Sequence, residues 1–128
     1  MRRLLIIAFI VAFEALAADV SGIWTGQIAG RNSSLQDVAF QLVQRGDVLT
    51  GKMYGDSGST AITDGKISNG HVNFTVVIQE QAGNLFNETK LTFNGCLDGN
   101  DMLLTREREV AGSTQNRGKQ NFGLKRLL

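Results

Sequence analysis

From Ser21 onward the apolar residues of this chain recur at every second position. An extended backbone points successive side chains to opposite faces, so this period lines one face of a pleated strand, where a helix would need a period of about 3.6. Eight such runs follow one another, at 21–28, 37–45, 48–54, 60–68, 71–79, 85–96, 101–109 and 120–127, and Thr, Val, Phe and Ile are frequent in them. Trp24 and Ile28, Phe40 and Leu42, Leu49 and Met53, Val72, Phe74, Val76 and Ile78, Leu91 and Phe93, Met102 and Leu104, and Phe122 and Leu124 each keep one parity. They form the expected core of an all-β domain.

The connections between the runs predict how the strands are joined. Gly46-Asp47, Asn69-Gly70 and Asp98-Gly99-Asn100 are short and rich in residues that tolerate positive φ, the signature of tight hairpin turns. The other connections, at 29–36, 55–59, 80–84 and 110–119, read as mostly longer and polar. In an antiparallel up-and-down meander, the tight turns then gather at one end and the longer loops surround a mouth at the other. Eight strands suffice to close a barrel, which removes the exposed sheet edges that lead to aggregation. Closure sets the last run beside the first and brings Lys125 or Arg126 near Trp24. Arg126 shares parity with Phe122 and Leu124, so its guanidinium is placed to stack on the indole.

Gly22, Trp24 and Arg126 together resemble the calycin superfamily, which includes lipocalins and avidins. There the first strand carries Gly-x-Trp and the last brings a basic residue over that Trp. The resemblance implies an eight-stranded barrel with Gly22, Trp24 and Arg126 in structural roles. Leu49-Thr50-Gly51, Asp64-Gly65-Lys66-Ile67 and Leu104-Thr105-Arg106 also resemble small secreted bacterial barrels that have no assigned activity. The chain departs from the lipocalin pattern in having no disulfide and no helix after the barrel. Trp24 is its only Trp, so the tryptophans with which avidins surround biotin are missing and biotin binding is not implied.

The first residues break the strand pattern. Met1-Arg2-Arg3 is a basic start, residues 4–13 are almost wholly apolar, and Ala15 and Ala17 supply the small residues that signal peptidase requires. The reading is a signal peptide at 1–17 and a single β-barrel domain at 18–128. The apolar run is shorter than the roughly 20 residues of a membrane span, and Glu14 ends it with a charge. Export to the periplasm or beyond the cell is expected, with no membrane association after cleavage. Loss of the leader removes two arginines and one glutamate, so the formal charge falls from +1 to zero. Such a balance does not suit nucleic-acid binding, which draws on a basic surface.

No residue set specifies a reaction. Gly55-Asp56-Ser57-Gly58 spells the tetrapeptide around a trypsin-like nucleophile, but the only His, His71, follows Ser57 instead of preceding it. A surface turn explains the same letters. His71 takes the outward parity and is expected to be solvated. Cys96 is the lone Cys, has no His, Lys or Arg beside it in sequence, and is read as a buried or inert thiol. One His and one Cys do not make a zinc set, and Asp98, Asn100 and Asp101 lack the Gly and distal Glu of an EF-hand loop. No metal, no cofactor and no catalytic residue is assigned.

Three functions remain. The first is a non-enzymatic binding protein that takes a small apolar ligand at the mouth, with Arg31, Asn32, Asp56, Gln81 and Asn116 as the rim residues. Gly26, Gly51 and Gly95 share the inward parity and either free volume inside the barrel or let the sheet bend. A filled and a hollow interior are both compatible with these letters. The second is a protein-interaction barrel, such as an exported protease inhibitor or an envelope interaction protein, acting through residues 110–119. The third is a hydrolase using carboxylates among Glu80, Glu88, Glu107 and Glu109, which would have to converge across a cleft.

Overall fold

Alternation of apolar and polar residues produces strands throughout the computed structural model, which describes residues 19–29, 34–55, 58–110 and 118–127, the side chains of 80–82 excepted. The strands are β1 (Gly22–Ala29), β2 (Leu35–Arg45), β3 (Val48–Gly55), β4 (Gly58–Ala61), β5 (Thr63–Ser68), β6 (His71–Ala82), β7 (Leu85–Asp98), β8 (Asp101–Val110) and β9 (Lys119–Arg126). They form one antiparallel sheet in the order β2-β1-β9-β8-β7-β6-β5-β3, and the pairing of β2 with β3 closes it. β4 and β5 both pair with β3 and act as the two halves of one broken strand, so the barrel is eight-stranded. The last strand meets the first as closure requires, with Trp24 opposite Arg126.

The break between β4 and β5 has a local cause. The β5 register on β6 slips between Thr63↔Thr75 and Lys66↔Asn73, so three steps on one strand oppose two on the other. Asp64 sits at a φ of 52°, and a Cβ on Gly65 would lie 2.1 Å from the carbonyl oxygen of Leu49. Asp-Gly at this point makes a bulge, which bends the strand and flips the facing of the residues on either side. Ile62 and Ile67 are therefore both buried although they differ in parity.

The interior is filled. Trp24, Phe40, Phe74 and Phe93 are almost fully excluded from solvent, and Phe122 nearly so. Phe74 and Phe93 stack with centroids 4.9 Å apart, and Phe40 meets both edge-on at 5.4 and 5.3 Å. Phe122 meets Phe93 edge-on at 6.1 Å. Such offset and edge contacts suit the ring quadrupoles and add to the burial of the rings. The inward glycines serve bending and close approach. A Cβ on Gly51 or Gly95 would lie 1.8 Å from the carbonyl oxygen of Gln41 or Leu103, so the neighbouring strand already occupies that space.

Two expectations need correction. The connection at 80–84 is no long loop: β6 runs to Ala82, β7 starts at Leu85, and only Gly83 and Asn84 lie between them. Gly83 takes a φ of 66°, so the polar letters Gln81-Ala82-Gly83-Asn84 end a strand and form a two-residue turn. The pairing of β3 with β4 likewise extends to Gly55↔Gly58. Mouth loops at the second end are thus fewer and shorter than the turn pattern suggested. The buried alternative for Cys96 is the other correction, because the thiol is exposed.

Candidate functional site

The tight-turn end is sealed. Trp24 is 0% exposed, and its indole Nε1 donates to the carbonyl oxygen of Val20 at 2.9 Å. Residues 19–21 fold back across the base, where the Val20 N–H donates to Oε1 of Gln44 and the Gln44 N–H donates to Oγ of Ser21. Arg126 covers the indole with its guanidinium carbon 4.5 Å from the ring centroid. The same guanidinium donates to the carbonyl oxygens of Ser21 at 2.7 Å and Asp19 at 3.0 Å, and to Oδ1 of Asn100 at 3.2 Å. Gly22 begins the strand at a φ of 144°, a conformation that favours glycine. Trp24, Arg126, Gln44 and the segment 19–21 are thus bound to one another at this end.

The opposite end is built differently. Cross-strand partners share a face of the sheet, and Arg106 is opposite the buried Phe93, Arg108 opposite the buried Leu91. Both arginines therefore stand on the inward face above the aromatic core, and both are half-buried. Arg106 donates to Oε1 of Gln120, whose Nε2 in turn donates to the carbonyl oxygen of Ala29 at 2.6 Å. Thr89, opposite Val110 and one step further toward the rim, is buried on the same inward face. A polar layer thus lies over the apolar core at this end. Parity pointed to it, since Met102, Leu104, Arg106 and Arg108 alternate without interruption, but charge made the last two read as the end of the core.

Beyond this layer β6 and β7 continue as a two-stranded ribbon. β6 pairs with β5 only through Thr75, and β7 pairs with β8 only from Thr89 onward. The ribbon tip carries Leu85 and Phe86, which are 69% and 66% exposed. They are consecutive, so they mark opposite faces of the ribbon. Near the base of the same end a cleft of about 500 Å³ opens along β1, β2 and β3, with Gln27, Asp37, Val38, Ala39 and Tyr54 in its lining. The Tyr54 hydroxyl donates to Oε1 of Gln41 at 3.1 Å beside it.

Of the rim residues expected from sequence, Arg31, Asn32, Asp56 and Asn116 lie outside the described residues, as does most of 110–119. Gln81 belongs to strand β6, opposite Phe86, instead of a loop. Glu88 and Glu109 are opposite Gln79 and Lys90, and Glu107 opposite Thr92, all on the outer face of the wall. These three carboxylates do not converge on a cleft.

One contact on the outer wall was missed. Cys96 and His71 are cross-strand partners, and Sγ lies 3.6 Å from Nδ1. Among the described residues no third His, Cys, Asp or Glu completes a metal-binding group with them. Comparison with family models, with curated proteins and with solved structures gave no match.

Proposed function

We propose that the chain is an exported, non-enzymatic binding protein that engages another protein through the rim opposite Trp24, with the β6–β7 ribbon as its contact element. The observation that carries this reading is the pair Leu85 and Phe86, left in solvent on a projecting ribbon while the barrel interior is packed with rings. Exposed apolar side chains gathered on a protruding element favour association, and aromatic anchors contribute most of the energy at protein interfaces. The closed barrel and the Arg126–Trp24 stack are compatible with a calycin-type relation, which rests on architecture alone. Export rests on the basic, apolar and small-residue order of residues 1–17.

A small apolar ligand remains the second reading, now placed outside the barrel. The cleft beside Tyr54 and Ala39 has the size of small-molecule sites, which run to roughly 300–1,000 Å³. A photo-crosslinking residue placed at Phe86 or at Leu127, an exposed apolar position at the other end, separates the readings in cells of the source. A discrete protein adduct from Phe86 and none from Leu127 supports the rim. Equal labelling from both, or none, rejects it, and a small molecule seen by native mass spectrometry and lost in Ala39→Trp favours the cleft.

A further inference from the structure

We infer that the free edge of β6 pairs with the same edge of a second copy of this chain, joining two barrels into one continuous antiparallel sheet centred on Gln79. β6 is paired with β7 along its whole length, from His71↔Cys96 to Ala82↔Leu85. On its other side the pairing stops at Thr75, and among the described residues no strand pairs with it beyond that point. β4 comes into contact with β6 across the seam but is hydrogen-bonded to β3. Among the described residues, 76–82 therefore present a strand edge that is hydrogen-bonded to no second strand.

The turn fixes which backbone groups face outward. A two-residue connection makes its flanking residues, here Ala82 and Leu85, a hydrogen-bonded pair, and such pairs alternate with non-bonded ones along an antiparallel ladder. Counting back from Ala82, Glu80, Ile78 and Val76 direct their backbone groups to β7. Gln81, Gln79 and Val77 direct their N–H and C=O groups to the open side.

These three positions are symmetric about Gln79, which is what a two-fold requires. Antiparallel self-pairing sets Gln79 opposite Gln79, and Val77 of each copy opposite Gln81 of the other. Neighbouring registers are disfavoured. Centring on Glu80 puts two glutamates directly opposite one another, and like charges so placed are destabilising. Centring on Ile78 asks Gln81 to pair with Thr75, whose edge β5 already holds. In the Gln79 register Glu80 meets Ile78, and no like charges face each other.

The sequence of the edge also lacks some of the usual protections. Exposed edges are commonly blunted by Lys, Pro or a bulge. Residues 76–82 read Val-Val-Ile-Gln-Glu-Gln-Ala, with neither Lys nor Pro, and the whole chain contains no Pro. Their pairing with β7 runs without a register shift. Val77, 37% exposed on the outer face, would be covered by the second copy. The inference does not depend on what the rim binds, because backbone pairing along β6 uses neither Leu85 nor Phe86.

Sedimentation of the purified mature chain over a concentration series tests it. The expected result is a reversible dimer, with the amides of Val77, Gln79 and Gln81 exchanging more slowly with deuterium as the dimer fills. Gln79→Pro removes one outward N–H and leaves the ladder to β7 in place, so it should give a folded monomer. Gln79→Lys and Gln79→Glu should each be monomeric, and their equimolar mixture should regain a mixed dimer. Circular dichroism, and a melting temperature for the Lys and Glu variants equal to that of the wild type diluted to its monomeric range, keep the test independent of folding. A wild type that stays monomeric throughout the series overturns the inference. So does a dimer that survives all three substitutions, since it would then form through another surface.

Discussion

At the base of the barrel Trp24 is fully buried under Arg126, with residues 19–21 drawn across it by hydrogen bonds. At the rim the β6–β7 ribbon leaves Leu85 and Phe86 in solvent, and half of β6 has one edge unpaired among the described residues. The two ends share the same strands but differ in what their polar groups do. Arg126 at the base satisfies backbone carbonyls and covers a ring, and so spends its donors on the fold. Arg106 at the rim stands over the aromatic core within a polar layer that includes Gln120 and Thr89. The base thus carries the indole–guanidinium stack and its strap, and the rim carries the exposed Leu85 and Phe86.

Trp24→Ala should break this contrast most severely. It removes the largest buried side chain and the partner of both Val20 and Arg126, and the expected loss is about 3 to 5 kcal/mol in urea denaturation. A loss below about 1 kcal/mol would mean that the base is not the stabilising end. Arg126→Ala should cost less, about 1 to 2 kcal/mol, because the indole stays buried while the stacking cation and the donors to Ser21 and Asp19 are lost. Arg126→Lys should recover only part of that loss, since an ammonium does not reproduce the planar fork.

At the rim the same kind of change should leave the fold nearly untouched. Leu85→Ser and Phe86→Ser remove exposed apolar surface from the ribbon tip, and each should shift stability by no more than about 0.5 kcal/mol. Crosslinking of the proposed protein partner at the rim should nevertheless disappear. A double substitution that unfolds the barrel would show that the ribbon is structural and would erase the distinction between the ends.

Much of the base was legible in the sequence and less of the rim, for a reason that lies in the register. Alternation alone named Trp24, Phe40, Phe74, Phe93 and Leu124 as core, and strand closure alone brought Arg126 to Trp24. Ile62 and Ile67 escaped because the bulge at Asp64-Gly65 interrupts parity. The Cys96–His71 contact escaped for a different reason. In a hairpin every cross-strand pair follows from its turn, so reading Gly83-Asn84 as the turn would have set His71 opposite Cys96 directly. Read as part of a longer polar loop, the same residues left the register open and hid the pair, the projecting ribbon and the edge of β6 that is unpaired among the described residues.

The smallest effect is expected at Asp19, and it tests whether the strap over the base depends on charge. The backbone N–H and the hydroxyl of Ser21 donate to the carboxylate and hold its pKa below the usual value, with slight burial opposing them and Arg126 adding a smaller attraction. A depressed folded-state pKa gives stability that is fully present above the unfolded value of about 3.9 and is lost as pH falls through the folded value. The carboxylate is exposed, so solvent screens much of this effect. Thermal unfolding of wild type and Asp19→Asn should therefore differ by a small margin at pH 6, and the margin should close as the pH is lowered to 2. No margin at any pH in this range would assign the role of Asp19 to its backbone carbonyl, which accepts from Arg126 and is kept in the Asn variant, and not to its charge.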